Sequence, residues 1–347
     1  MTRSLMCLAL AATVLVSGVF GTARAAATGW GPVALPFLWP EAGLGEVAPD
    51  GAGGVWVGGH QGAYCVPDFI GNCIAQSRGN PVVRRWTGTS WAEYPITGWT
   101  GEGSINRIAV AADETWIAGI AIGPSPDFVA RFDGTAFGKV DLPAALQLEA
   151  VGTGQAGAWI AGYTDEPQRV HRLYRRTGSA WTAVDLPDGM RRIDDLRAAR
   201  DGTGMWAIGN GTSAVLAAAR FDGTSWTSLP TPPGLGGFGR VVPVAEDDVW
   251  ATTGTVAVHW DGAAWTAVPF PDDYPRGILE DIAVDASGTV WVTDGGDILH
   301  RYRDGEWTSV KLGPYGTMLQ AVTEVPGTNT VWTVGADGRN ALAFKNP

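Results

Sequence analysis

Apolar residues in this chain come in short alternating runs separated by Gly, Pro and Asp. The clearest unit spans Gly288 to Val310. It reads Thr-Val-Trp-Val-Thr, a polar stretch, Ile-Leu-His-Arg-Tyr-Arg, then Asp304-Gly305, then Glu-Trp-Thr-Ser-Val. Alternation of period two, bounded by turn residues, predicts strand, loop, strand, tight turn, strand. Copies of the unit cover nearly the whole chain. The first tryptophan recurs as Trp56, Trp116, Trp159, Trp206, Trp250, Trp291 and Trp332. The second aromatic recurs as Trp91, Phe137, Trp181, Trp226, Trp265 and Trp307.

Spacings within each set fall between 39 and 47 residues, apart from a first gap of 60. Four strands at that period predict propeller blades. Seven aromatics of the first kind stand against six of the second, and the chain ends at Phe344-Lys-Asn-Pro347, short of a last strand. The missing copy lies at the other end: Thr28-Gly-Trp-Gly-Pro-Val-Ala-Leu-Pro36 matches Thr224-Ser-Trp-Thr-Ser-Leu-Pro230. The expected fold is therefore all-β, a seven-bladed β-propeller of four-stranded blades. An N-terminal strand completes the last blade, so no sheet edge is left open at the seam. With Trp30, 13 of the 17 tryptophans fall on repeat positions. Packing between blades explains them better than ligand contact, because buried aromatics dominate cores.

Asp133-Gly134, Asp222-Gly223, Asp261-Gly262 and Asp304-Gly305 mark the turn into the outer strand in four blades, and Thr87-Gly88 and Thr177-Gly178 in two more; positive φ angles are expected there. Three residues past the first tryptophan, five blades carry Gly59, Gly119, Gly162, Gly209 and Gly335, while the other two carry Thr253 and Asp294. The longest insertion, Gly59 to Pro81, lies in blade one.

Residues 1–25 read as a secretory signal peptide: Arg3, an apolar run from Leu5 to Phe20, and Ala23-Arg-Ala25 as cleavage site. Residues 26–347 then form one exported domain. In an oxidising compartment Cys65 and Cys73 are expected to form a disulfide. The formal charge is −11, and two units more negative once Arg3 and Arg24 are removed. Such a surface repels phosphate backbones and anionic lipid, which argues against nucleic-acid or membrane partners. No motif implies a cofactor or a metal. A closed ring needs no partner to cover its edges, so a monomer is expected.

The Val-Trp strand followed by Asp-Gly-Thr-Ser-Trp resembles the Trp-rich propeller repeats of secreted bacterial proteins, of tectonin and two-component-regulator type. The resemblance covers residues 28–347, and its tectonin side implies glycan binding. Gly-Thr-Val-Trp291 is also similar to the repeat of streptogramin lyases, which need a His and Glu cluster at the channel mouth. Here His60, His171, His259 and His300 are scattered. The sialidase turn motif is absent from Val284-Asp-Ala-Ser-Gly-Thr-Val-Trp291.

Two constellations remain. Blade-to-blade links and second-to-third-strand loops share one face and are long and varied. They carry Phe37, Trp39, Trp99, Phe238, Tyr274 and Tyr315 among carboxylates, a composition suited to stacking on a sugar or gripping a protein. On the inner strands Glu46, Arg107, Asp195, Arg240 and Asp281 occupy one repeat position. They are expected to pair around the channel, and to orient a ligand at its mouth. The sequence favours a secreted, non-enzymatic propeller that binds an extracellular glycan or protein at Trp39, Trp99, Tyr274, Tyr315, Phe238, Arg107, Arg240 and Glu46. A glycoside hydrolase or lyase using Asp195 and Asp281 is the enzymatic alternative. A cell-envelope interaction scaffold, presenting the Cys65–Cys73 loop, is the third.

Overall fold

The computed structural model describes residues 29–68, 70, 72–122, 125–165, 167–200, 202, 204–212, 215–237, 239–271 and 278–347. Residues 1–25, read from sequence as a signal peptide, lie outside them. Seven small sheets stand in a ring, each with its first strand innermost. Blade one holds Gly43–Pro49, Val55–Gln61, Asn80–Trp86 and Trp91–Glu93. Blade two holds Glu102–Val110, Thr115–Ile122, Phe128–Phe132 and Phe137–Val140. Blade three holds Gln147–Gly154, Gly157–Thr164, Val170–Thr177 and Ala180–Val184. Blade four holds Met190–Ala198, Met205–Gly211, Leu216–Phe221 and Trp226–Leu229. Blade five holds Val241–Ala245, Asp248–Thr253, Val256–Trp260 and Trp265–Val268. Blade six holds Asp281–Val284, Val290–Thr293, Ile298–Arg303 and Glu306–Lys311. Blade seven holds Met318–Glu324, Val331–Ala336 and Ala341–Lys345.

The fourth strand of blade seven comes from the chain start. Gly31–Pro32 pairs antiparallel with Ala341–Lys345, Gly31 opposite Lys345. Val33 extends the contact by donating its N–H to Ala343 O at 2.8 Å. The strand is shorter than the Thr28–Pro36 match implies, because Pro32 and Pro36 have no N–H for the ladder. Two features go beyond the expected blades. Ile96–Thr97 adds a fifth, parallel strand to the outer edge of blade two. The insertion in blade one is a hairpin of its own, Tyr64–Pro67 against Cys73–Ser77. The Cys65–Cys73 disulfide closes it with Cα atoms 5.4 Å apart.

Blade interfaces repeat one contact. The second-strand tryptophan of each blade shares a packed cluster with the outer-strand aromatic of the next, and at five of the seven interfaces the two rings are in direct contact. Trp56 and Phe137 lie 5.3 Å apart, Trp116 and Trp181 5.9 Å, Trp159 and Trp226 5.5 Å, and Trp332 and Trp91 6.0 Å, all edge to face. The seam uses the same pair, with Trp30 at 5.4 Å from Trp291. Edge-to-face geometry sets the positive ring rim against the negative π face.

Among the Asp-Gly turns, Asp304 and Gly305 both take positive φ, 53° and 86°. The other three differ from that expectation. Only their glycines are positive, and the aspartate side chain shapes the loop: Asp222 Oδ1 accepts the N–H groups of Thr224 and Ser225. Asp133 and Asp261 do the same. Those N–H donors and the Thr224 hydroxyl hold the Asp222 carboxyl down at about 2.

The repeated glycine has a separate cause. Inner strands carry a β-bulge in blades one, two, three, four and seven, at Gly45, Asn106, Glu149, Asp194 and Gln320. In blades one, three, four and seven the bulge brings the inner strand onto the glycine three residues past the tryptophan. A Cβ at Gly162 would lie 2.2 Å from Gln147 O; at Gly59, Gly209 and Gly335 it would also strike backbone oxygen, and at Gly119 the Phe128 ring. Gly162→Ala is therefore expected to cost roughly 2–4 kcal/mol, read by denaturant unfolding. Gly138→Ala, with only Thr97 Oγ1 at 3.9 Å, should leave stability nearly unchanged. Equal effects at both positions would refute the bulge account.

Candidate functional site

Inner strands run from the face that carries the links to the face that carries the short turns. At mid-channel they bring together the charges that share one repeat position. Arg240 sits in the centre. Its Nη2 donates to Glu46 Oε2 at 3.2 Å, its Nη1 faces Asp195 Oδ1 at 3.7 Å and its Nε faces Asp281 Oδ1 at 3.9 Å. Arg197 adds a second cation, 3.2 Å from Asp195 and 3.8 Å from Glu46. Glu46, Asp195 and Asp281 are all at most 1% exposed. Burial opposes the Asp195 charge, but Arg197, Arg240 and Arg107 outweigh it and hold that carboxyl below its usual range. For Glu46 and Asp281 burial wins over the same cations and raises both.

The two aspartates also tie blades together. Val241 of blade five donates its N–H to Asp195 Oδ2 at 3.0 Å, and Val322 of blade seven donates to Asp281 Oδ2 at 2.9 Å. Inner strands are sheet edges, so these bonds satisfy donors that the ladder cannot.

This charged layer divides the channel. Toward the short turns lies a chamber of about 720 Å³, walled by Ile108, Leu196, Val242, Ile282 and Val322, with Arg197 on its lining. Toward the links lies a mouth of about 420 Å³, lined by Arg107, Glu149, Arg192, Asp194, Arg240 and Glu280. The bulged residues Glu149 and Asp194 both belong to the mouth lining, so the glycine-backed bulges deliver two of its three carboxylates.

Within the mouth, Glu149 Oε2 lies 3.1 Å from His171 Nδ1 and its Oε1 3.0 Å from Arg192 Nε. Arg192 also bonds Asp194. Burial pushes Glu149 up to about 7 against the pull of Arg192, Arg169 and Arg107, and pushes Asp194 up to about 6. His171 is held low by burial and by Arg192, Arg169 and Arg191. Arg107 donates to the backbone carbonyls of Asn106 and Asp194, at 2.7 and 3.3 Å, and makes no ion pair among the described residues. Burial and Arg240 lower it to about 10, so it stays cationic at neutral pH. Among the described residues no three His, Cys, Asp or Glu side chains converge to hold a metal.

The expected surface aromatics are dispersed. Trp39 is 62% exposed, beside Phe37 at a ring distance of 5.4 Å, and Tyr315 is 96% exposed. Trp99 lies flat on Phe128 at 4.4 Å and donates its Nε1–H to Pro126 O, so it caps the end of blade two. No ring contact among the described residues joins Trp39, Trp99 and Tyr315. Phe238 and Tyr274 lie outside the described residues. Glu149, His171 and Arg192 were not singled out from sequence; the glycine that marks each bulge was the available signal.

No protein-family model matches this chain, and no curated protein matches it. Solved structures do. Virginiamycin B lyase from Staphylococcus aureus superposes with a TM-score of 0.66 at 14% identity, over 92% of this chain and 99% of that one. YCF48 from Cyanidioschyzon merolae gives 0.60 at 15% identity, over 91% and 98%. The extracellular domain of the putative one component system BT4673 from B. thetaiotaomicron gives 0.58 at 13%, over 91% of this chain and 39% of that one. A structure of YCF48 bound to D1 peptide is similar as well, with a TM-score of 0.61 at 15% identity, over 92% and 95%. At these identities the likeness shows the fold, a seven-bladed β-propeller.

Two outcomes test the site's physics. Arg240→Met leaves three buried carboxylates with one fewer cation and should cost about 3–5 kcal/mol in unfolding. Glu149 and Asp194 have folded pKa values above their unfolded ones. The folded state therefore holds extra protons between roughly pH 4 and 7, and stability falls as pH rises through that window. Glu149→Gln should flatten this slope in melts across that range; an unchanged slope would remove Glu149 as its source.

Proposed function

We propose that this protein is an exported binding propeller that receives an extracellular ligand, without turning it over, at the link-face channel mouth. The observation that carries the reading is Arg107. It is a cation held at the mouth with only backbone hydrogen-bond partners, beside carboxylates that accept hydrogen bonds. Rigid strands position this constellation and varied links frame it, as binding sites on folds commonly require. The disulfide-closed hairpin supports export, since such bonds persist in oxidising compartments. A protein segment is the first partner class, because a propeller of this shape, YCF48, has been seen with a peptide bound. A glycan is the second, with Trp39 and Tyr315 as stacking surfaces and Glu46 and Arg240 supporting the mouth from below.

The enzymatic alternative looks different in three dimensions. Asp195 and Asp281 are buried and occupied with backbone donors and guanidinium groups. If the mouth turns over a substrate, Glu149, raised to about 7 by burial and hydrogen-bonded to His171, is the group with both access and a pKa near neutrality.

The mature protein should be tested against panels of peptides and of extracellular glycans, beside Arg107→Met and Trp39→Ala. Arg107→Met is expected to weaken the bound partner about tenfold or more, the cost of one charge-assisted hydrogen bond. An anionic partner should bind more tightly near pH 5 than near pH 8, because Asp194 and Glu149 lose their charge in that range. Binding that is indifferent to both substitutions, or no binding by folded protein, would overturn the proposal.

A further inference from the structure

A second constellation lies on the third and outer strands of blade six. His300, on the third strand, is 1% exposed. Its Nε2 lies 3.1 Å from Asp294 Oδ2, and its Nδ1 lies 3.0 Å from Ser309 Oγ. Ser309 is on the outer strand directly opposite His300 and is exposed to solvent. Asp294 is fixed in turn by the Gly296 N–H, donated to its Oδ1 at 3.0 Å.

Hydrogen-bond inventory orients this chain of groups. An ionised carboxylate only accepts, so the His300 proton must sit on Nε2, facing Asp294. Neutral imidazole has one N–H, so Nδ1 presents a lone pair. The Ser309 hydroxyl then donates to Nδ1, leaving its oxygen lone pairs toward solvent. That is the proton arrangement of a serine nucleophile with its general base and orienting carboxylate, with the two ring nitrogens exchanged relative to the familiar triad.

The ladder also frees a donor beside the hydroxyl. Leu312 donates its N–H to Asp297 O at 2.8 Å. Hydrogen-bonded pairs alternate along an antiparallel ladder, so Val310 and Leu299 bond next, and Ser309 with His300 is the close, non-hydrogen-bonded pair. The Ser309 N–H therefore points away from the third strand, out at the blade edge, and can receive an oxyanion formed on an acyl group attached to Oγ. On the same side lies an aromatic shelf. Phe270 stacks on Trp307 at 3.8 Å and meets His300 edge-on at 5.3 Å.

We propose that Ser309 is a nucleophile for carboxylic esters, with His300 as its general base and Asp294 as a positioning residue. Ser309 Oγ adds to the ester carbonyl as its proton passes to His300 Nδ1. The carbon–alkoxy bond then breaks, and the alkoxide leaves as the alcohol after taking that proton. Water adds to the acyl-serine, gives a proton to His300, and releases the carboxylic acid with Ser309 restored. The shelf favours a small flat or apolar acyl group. This proposal stands or falls separately from the binding function.

The test is covalent labelling of the intact mature protein by a fluorophosphonate, which loses fluoride to an activated serine, followed by peptide mapping. Labelling is expected at Ser309, absent in Ser309→Ala, and absent in urea-unfolded protein. Because Ser309 is exposed, Ser309→Ala should fold. Asp294→Asn keeps the shape but lets an amide donate to Nε2, which places the imidazole proton on Nδ1 and turns the serine bond around. Its labelling rate should fall about a hundredfold, the scale of general-base catalysis, while its melting curve stays cooperative. p-Nitrophenyl acetate hydrolysis should follow the same order. No label on folded wild-type protein, a label on another residue, or equal rates in wild type and folded Asp294→Asn would each overturn the proposal.

Discussion

The fold depends on one aromatic contact repeated around a circle. A tryptophan on the second strand of each blade packs against the outer aromatic of the next. A ring can close only if the last blade has such a partner as well. Trp30 supplies it, delivered by a segment some 260 residues upstream of Trp291 in the chain. Large rings bury much area per contact, and the edge-to-face arrangement adds direction to that burial. Closure removes the exposed sheet edges that would otherwise recruit other chains. It also fixes the radius of the channel, and hence how far apart inner-strand side chains stand.

That fixed radius explains how a few charges span the axis. Arg240 reaches acids on blades one, four and six at once, because its long side chain starts on the wall and ends in the centre. The layer is a specificity device more than a source of stability, since buried ion pairs recover little beyond their desolvation cost. Its effect is architectural: a blind polar mouth on one face and a larger apolar-walled chamber on the other. Bulges above the layer then turn Glu149 and Asp194 into the mouth, where burial brings their pKa values close to the pH at which proteins work.

The sequence made the ring legible because its signals were local and repeated. Trp56 through Trp332 set the period, Asp-Gly pairs set the turns, and Trp30 revealed the closing strand. The charged repeat position was legible too, and the neighbours expected around Arg240 are present. The mouth was harder to read. Glu149 and Asp194 sit one residue before that position, and only a bulge brings them inward. Gly162 and Gly209 recorded those bulges, yet a glycine in a strand does not say which facing residue it admits. His171 and Arg192 come from different strands of neighbouring blades, so no spacing along the chain predicts their meeting at Glu149. Trp99 shows the converse. Its position in a link predicts exposure, but the Phe128 ring lies within reach and covers it.

The account rests on the mouth being where a ligand arrives, and hydrogen–deuterium exchange can locate that arrival directly. The protein should be compared free and with the tightest binder from the peptide and glycan panels. Protection is expected in the upper inner strands, around 104–107, 147–150 and 191–195, which line the mouth. Protection confined to the opposite face, around 111–114, 199–200 and Gly202, would place the ligand in the chamber and contradict the central claim.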